Sequence, residues 1–136
     1  GGWGFAEYAK VGMAEYMNIC NREALLIPQC ETVGCLNHIE EIAGMEGVDG
    51  ILVGPYDLSI DMGMPGDFDN HTFKEALNRI LSACKKANKL SVIYAGNEEV
   101  AKLYLNNGFD SVVVGLDVSV LINSYAGIVN NLSGRM

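Results

Sequence analysis

Four short apolar runs recur along the chain, separated by segments in which apolar residues return every three or four positions. Runs of this length are typical of buried strands, and the intervening spacing is typical of helices that bury one face. The predicted strands are Leu25 to Cys30, Gly50 to Val53, Leu90 to Tyr94 and Ser111 to Val114. Because strands that alternate with helices form right-handed βαβ units, the pattern predicts an α/β protein with a parallel sheet.

Five helices are predicted around these strands, most of them followed by Gly or Asn, where a helix tends to stop. They cover Ala6 to Asn18, Val33 to Ala43, Thr72 to Ala87, Glu98 to Asn107 and Val118 to Leu132. The turn-rich segment Met62 to Asn70 is long enough to be a loop that covers a site. Four βα units could make a small open sheet, or half of a closed (β/α)8 barrel.

Composition narrows the class of protein. The 136 residues carry a net charge of -8 with only nine Lys and Arg, which argues against binding nucleic acid or anionic lipid. We expect a single domain, 1–136, with a small-molecule partner and no apolar run long enough to span a membrane. The chain starts at Gly1 without an initiating Met, so we interpret it as a piece of something longer.

Four cysteines form neither a C-x-x-C pair nor a zinc-like pattern with histidine. A disulfide framework is equally unsupported by their spacing. We therefore predict reduced thiols in a cytoplasmic protein. The four are Cys20, Cys30, Cys35 and Cys84.

Acidic residues follow the first two predicted strands. Side chains alternate along a strand, so Gln29 and Glu31 should share one face at the carboxyl end of the first strand. Asp57 comes after the second strand and the Gly54-Pro55 turn, about one βα unit beyond Glu31. Because the two βα units that carry Glu31 and Asp57 are in phase, both acids should lie at the same edge of the sheet.

Neighbouring strands lie about 4.8 Å apart, which lets the two carboxylates reach a common point. A divalent cation would hold both ionised, and oxygen ligands favour a hard ion such as Mg²⁺ or Mn²⁺. Simpler roles stay open. Glu31 could favour the N-terminus of a helix that begins near Thr32, and Asp57 could cap a short turn from Leu58 to Asp61.

Two stretches, "QCETVG" and "GMEGVDGILVGPYDLSIDMG", resemble the HpcH/HpaI aldolase family, and "NEEVAKLYLNNGFDSVVVGLD" is similar to that family's last two βα units. The resemblance implies a (β/α)8 barrel of the TIM type, of which 1–136 would be the C-terminal half. It implies that Glu31 and Asp57 hold the metal and that Gln29 lies beside the substrate. It also implies that the bound oxoacid touches the segment of Gly54, Pro55 and Tyr56.

The implied activity is that of a metal-dependent class II aldolase, which cleaves a 4-hydroxy-2-oxo acid to pyruvate and an aldehyde through a metal-stabilised enolate. The implied cofactor is Mg²⁺ or Mn²⁺, with Co²⁺ as a further candidate, and the implied assembly is a homo-oligomer. Two alternatives stay open. One is a lyase like the citrate lyase β-subunit that acts on a coenzyme A thioester, and the other is a non-catalytic half-barrel.

The family's catalytic His and carboxylate-binding Arg come from earlier strands, so we assign no catalytic residue to this chain and expect it to be inactive alone. His38 and His71 match neither position and are interpreted as exposed surface residues. Arg22 and Arg79 do not replace the missing Arg. Two local departures are Pro28, which lacks a donor for strand pairing, and Tyr56, whose bulk stands where the family commonly has a small residue.

Overall fold

A computed structural model describes residues 11–134, in which four parallel strands form one sheet in the order β1-β2-β3-β4. The strands are β1 (Gln29–Cys30), β2 (Gly50–Val53), β3 (Leu90–Ala95) and β4 (Ser111–Val114). The helices are α1 (Met13–Glu23), α2 (Val33–Asn37), α3 (Ile39–Ala43), α4 (Pro55–Asp61), α5 (His71–Ala87), α6 (Glu98–Asn106) and α7 (Asp117–Ser133). The predicted α/β class and the parallel sheet are confirmed.

The first predicted strand is too long. Only Gln29–Cys30 pair as a regular strand, while Leu25 and Leu26 are 66% and 58% exposed. Pro28 accounts for part of the difference because it has no N–H to donate, although its carbonyl still accepts a hydrogen bond from the amide of Leu52 at 3.0 Å. The extended segment before it is tied to the sheet at one point, where Leu26 and Asp49 exchange hydrogen bonds.

Helix boundaries differ from the predictions in three places. The predicted start of the first helix lies outside the described residues, and its predicted end is wrong, since α1 continues through a stretch without Gly or Pro to Glu23. The predicted second helix is divided at His38, whose φ of -111° and ψ of 16° interrupt the helical geometry. The sequence interpretation missed α4, which starts at Pro55, a residue well suited to the first helical position.

The core lies between the sheet and the helices that follow β1, β2 and β3. Its fully buried side chains include Ile51 of β2, Ile93 of β3 and Phe73 of α5. Arg79 of α5 donates two hydrogen bonds of 2.8 Å to the carboxylate of Glu40 in α3, which joins two neighbouring helices at the rim of this core. The same guanidinium lowers the pKa of Glu40 to about 2.

Among residues 11–134, no helix has the length and apolar character needed to cross a bilayer. Because the strands are parallel, their carboxyl ends meet at one edge of the sheet, which we call the carboxyl edge. In α/β proteins with parallel sheets, ligands bind at this edge.

Candidate active site

The register of the first two strands sets the geometry of the carboxyl edge. Gln29 pairs with Leu52 and Cys30 with Val53, so the residues that follow, Glu31 and Gly54, lie side by side. The amide of Gly54 donates a 3.1 Å hydrogen bond to the carbonyl of Cys30. This bond continues the pairing of the two chains by one residue beyond the strands.

Gln29 and Glu31 form a hydrogen-bonded pair directly over Gly54. The Gln29 amide nitrogen Nε2 donates to Glu31 Oε2 at 2.6 Å, which confirms that the two side chains share a face. A Cβ placed on Gly54 would lie 2.8 Å from Gln29 Nε2 and 3.2 Å from Glu31 Oε2. The absence of a side chain at Gly54 is therefore what lets this amide–carboxylate pair rest on the backbone of β2.

Asp57 lies in the first turn of α4 and is exposed. Within the described part of the chain, no hydrogen bond or ion pair engages its carboxylate. The predicted role as a cap for Leu58 to Asp61 is wrong, because α4 begins at Pro55 with Gly54 as its N-cap and no capping side chain. Asp57 is available for a ligand instead.

Residues other than Glu31 accept the hydrogen bonds from the backbone amides at the N-terminus of α2, the helix that follows Glu31. Thr32 Oγ1 accepts a hydrogen bond from the amide of Cys35 at 3.1 Å, and Asp61 Oδ2 accepts one from the amide of Val33 at 2.6 Å. Glu31 is thus not the residue that caps α2, and the simpler explanation, that its charge favours the N-terminus of this helix, stays a prediction. Asp61, to which the sequence interpretation gave no role, joins the end of α4 to the start of α2.

Asp61 therefore connects the segments that carry the two proposed metal ligands. Its bond to Val33 fixes the backbone two residues after Glu31, and its own helix carries Asp57 one turn earlier. The sequence offered one signal for this contact, which is that Asp57 and Asp61 are spaced as neighbours on one helical face. This spacing becomes a signal only once α4 is known to be a helix.

The donor chemistry of Glu31 and Asp57 suits a hard divalent cation, since carboxylate oxygens are the ligands that Mg²⁺ and Mn²⁺ prefer. Over residues 11–134 there is no group of three or more His, Cys, Asp or Glu side chains arranged to hold a metal ion. Two carboxylates supply only part of a coordination shell. They fit a cation that takes its other ligands from water and substrate, as Mg²⁺ commonly does.

A cavity of about 480 Å³ opens beside these groups at the carboxyl edge. Its size is in the range of small-molecule sites. Of the predicted site residues, Gln29, Gly54, Pro55, Tyr56 and Asp57 line it, whereas Glu31 does not and reaches it only through its hydrogen bond to Gln29. The remaining lining residues are Leu52, Val53, Tyr94, Val113 and Leu116.

The sequence interpretation missed five of these lining residues: Leu52 and Val53 lie on β2, and the other three, Tyr94, Val113 and Leu116, lie on or after β3 and β4. Each is apolar or aromatic, so none stood out as a chemical group. A signal was nevertheless present, because Tyr94, Val113 and Leu116 fall at the carboxyl ends of strands that are in phase with the first two.

Within residues 11–134, the histidines and arginines lie away from this cavity, as predicted. His38 Nδ1 is 3.4 Å from Glu41, and His71 Nδ1 is 3.3 Å from Glu75. Both histidine side chains are mostly exposed. Arg22 bonds to its neighbour Glu23, and Arg79 bonds to Glu40, so neither contributes a cation to the cavity.

All four cysteines are free, which confirms the prediction of reduced thiols. Burial, with a hydrogen bond to Cys35, raises the pKa of Cys30 to about 12, and burial raises the pKa of Cys84 to about 11. Both buried thiols stay protonated and unreactive near neutral pH. The cytoplasmic location stays a prediction.

Comparison with known proteins points to one family. The family model described as HpcH/HpaI aldolase/citrate lyase matches residues 6–124. A hydroxypyruvate/pyruvate aldolase from Pseudomonas aeruginosa is 33% identical over 122 residues, which are 90% of this chain and 46% of that protein. A 4-hydroxy-2-oxo-heptane-1,7-dioate aldolase from Shigella sonnei is 34% identical over 107 residues, covering 79% of this chain and 41% of that protein.

Solved structures give the same result. An HpcH/HpaI aldolase/citrate lyase family protein from Burkholderia cenocepacia J2315 superposes with a TM-score of 0.82 at 30% identity, over 98% of this chain and 51% of that one. An HpcH/HpaI aldolase from Desulfitobacterium hafniense DCB-2 superposes with a TM-score of 0.77 at 23% identity, over 97% and 52%, which supports the fold alone. The chain thus spans about half the length of the proteins it matches, and its four βα units are part of a fold of the TIM-barrel type.

Proposed function

Because the chain belongs to the HpcH/HpaI aldolase/citrate lyase family, we propose that the intact protein is a metal-dependent aldolase that cleaves a 4-hydroxy-2-oxo acid to pyruvate and an aldehyde. By the intact protein we mean this chain together with any further sequence that it carries. One observation supports the proposal above the others. The hydrogen-bonded pair of Gln29 and Glu31 rests on Gly54, at the edge of the cavity that Asp57 also lines.

In this proposal Glu31 and Asp57 would hold the cation, for which Mg²⁺ and Mn²⁺ are the candidates. The cation, when bound, would supply positive charge opposite the keto oxygen on which negative charge grows as the carbon–carbon bond breaks. Gln29 orients Glu31 through its bond to Oε2 and uses one N–H to do so. Its second N–H is available to a carboxylate or keto oxygen of the oxoacid.

The Gly54 segment shapes the cavity and contributes no free donor at Gly54 or Pro55. The Gly54 amide is already bonded to Cys30, the Gly54 carbonyl accepts from Leu58 at 2.9 Å, and Pro55 has no N–H. We therefore propose that Gly54 and Pro55 bind the oxoacid by close backbone approach. Tyr56 would contact the substrate through its ring.

In the cleavage direction the bond between C3 and C4 of the substrate breaks, the C4 hydroxyl loses its proton to form the aldehyde, and C3 gains a proton to form pyruvate. No histidine or arginine of residues 11–134 lines the cavity. We propose that the groups that move these protons belong to parts of the intact protein other than the residues described. The chain's own residues would bind and orient the substrate.

Metal removal tests the proposed function directly. We expect the intact protein to release pyruvate from a 4-hydroxy-2-oxo acid, to stop after treatment with EDTA, and to recover when Mg²⁺ or Mn²⁺ is added back in excess. Pyruvate release can be followed with a coupled lactate dehydrogenase assay, with the coupling enzyme tested separately in EDTA. Full activity in a metal-free preparation would contradict the proposal.

We also propose that the intact protein is a homo-oligomer in which α7 pairs with α7 of a second copy. None of the residues of α7 is buried. Its apolar side chains recur at three- and four-residue intervals and are 54–65% exposed within the described part of the chain, a spacing that suits a helix packing either on further sequence of the intact protein or on a second copy. They are Val118, Leu121, Ile122, Tyr125, Ile128, Val129 and Leu132.

Charges placed on this face should separate the copies. We expect the double substitution Leu121→Glu with Ile128→Glu to convert the oligomer to monomers in multi-angle light scattering, because it buries two unpaired carboxylates at the contact. The control is Asn123→Glu with Asn130→Glu, which adds the same charge outside the apolar face and should leave the mass unchanged. A monomeric wild type, or an oligomer that survives the first double substitution, would contradict the proposal.

A further inference from the structure

We propose that Tyr56 is the residue that selects the aldehyde, and that it selects an aldehyde with an aromatic side chain. The inference rests on the proposed aldolase function and concerns the same cavity. It follows from the geometry of the aromatic side chains around Tyr56 and from the charge of the groups that line the cavity.

Tyr56 extends from α4 across the carboxyl end of β3. Its hydroxyl lies 3.2 Å from the position that a Cβ on Gly96 would occupy, directly after that strand. The Tyr56 ring packs edge-on against Tyr94, with 6.0 Å between ring centroids and 62° between the ring planes. Both rings line the cavity, and together with Leu116 they form what we call the aromatic wall.

The opposite side of Tyr56 is held by the loop that follows α4. Phe68 packs edge-on against Tyr56 with centroids 5.1 Å apart, and Phe68 is itself packed against the buried Phe73 at 5.5 Å. The buried Ser59 donates to the carbonyl of Tyr56 at 2.7 Å and accepts from the amide of Gly66 at 3.0 Å. These contacts fix the position of the Tyr56 ring, while 49% of the residue stays exposed.

The described lining of this cavity favours an aromatic group over a carboxylate. It includes one carboxylate, Asp57, and no Lys, Arg or His from residues 11–134. A carboxylate tail that lay against Tyr56, Tyr94 and Leu116 would meet apolar and aromatic side chains there and no cation among them, which is costly. A ring of the substrate would instead meet Tyr56 and Tyr94 in the edge-to-face or offset geometries that aromatic pairs prefer.

The test compares two substrates in the intact protein, the aldol adduct of pyruvate with benzaldehyde and the adduct of pyruvate with succinic semialdehyde. We expect kcat/KM for cleavage to favour the benzaldehyde adduct. Tyr56→Ala should reduce that preference by about tenfold or more, the size of effect that one well-packed apolar contact gives in substrate discrimination. Tyr56→Phe should keep the preference, because the ring and not the hydroxyl forms the wall.

Leu105→Ala is the control, because Leu105 is 45% exposed on α6 and does not line the cavity, and it should leave the ratio unchanged. The inference is overturned if the wild type prefers the succinic semialdehyde adduct, or if Tyr56→Ala leaves the ratio unchanged while cleavage continues. Cleavage of neither adduct by a wild type that releases pyruvate from another 4-hydroxy-2-oxo acid would overturn the inference alone, whereas release of pyruvate from no 4-hydroxy-2-oxo acid would overturn the proposed function.

Discussion

Glu31→Gln and Asp57→Asn should each lower kcat for pyruvate release by the intact protein by at least about a hundredfold, the loss typical of removing one group that stabilises charge in the transition state. Each substitution preserves the shape of the side chain and removes its negative charge. A neutral amide is a much weaker ligand for a hard divalent cation than a carboxylate. The measurement is steady-state kinetics at one fixed Mg²⁺ or Mn²⁺ concentration, chosen to be just sufficient to saturate the wild type.

The control for both variants is Glu46→Gln. Glu46 is an exposed acid in the turn before β2, at the end of that strand opposite the carboxyl edge. The Glu46→Gln variant changes the net charge by the same amount as the other two variants and should retain wild-type kcat. If Glu31→Gln or Asp57→Asn also retained wild-type kcat, the assignment of that residue as a metal ligand would be wrong.

Gly54→Ala is the second change for which we expect a large effect. The added methyl group would lie 2.8 Å from Gln29 Nε2, 3.1 Å from Glu31 Cβ and 3.2 Å from Glu31 Oε2. Distances this short force the Gln29 and Glu31 side chains off the backbone of β2. Because the nearest atom is the far end of the flexible Gln29 side chain, we expect a destabilisation of only about 1 kcal/mol, the low end of the usual cost of overpacking, and a loss of activity out of proportion to it.

The measurement pairs thermal denaturation with kcat at a temperature where the variant is fully folded. Gly34→Ala is the matched control, because Gly34 lies three residues after Glu31 and an added Cβ would meet only Thr32 Oγ1 at an ordinary 3.7 Å. Gly34→Ala should keep its activity. A folded Gly54→Ala variant with unchanged kcat would show that the placement of Gln29 and Glu31 over Gly54 has no importance for catalysis.

Alternation along a strand and the repeat of βα units were sufficient to predict the core of the candidate site. Gln29 and Glu31 differ by two residues, so they share a face wherever the backbone is extended, even though the regular strand there is only two residues long. The parallel order of the sheet followed from the alternation of strands and helices. Both results depend on local patterns that tertiary contacts reinforce.

Other features depended on contacts that no local pattern reveals. The predicted first strand overran because Leu25 and Leu26 were counted as buried from their apolarity, and the structure leaves both exposed. The role of Asp61 could not be predicted, because it depends on a hydrogen bond from the amide of Val33, which is remote in sequence and is reached only because α4 is a helix. Tyr94 was recognised as a site residue only from its packing on Tyr56, a contact between two βα units.

The most direct test of the central claim is a titration of the intact, metal-free protein with Mn²⁺, followed by electron paramagnetic resonance of the free ion. The claim is that Glu31 and Asp57 together hold one divalent cation at the carboxyl edge. We therefore predict one Mn²⁺ site per chain in the wild type and in Glu46→Gln, with binding weakened at least about tenfold in Glu31→Gln and in Asp57→Asn. Wild-type Mn²⁺ affinity in both Glu31→Gln and Asp57→Asn would contradict the claim.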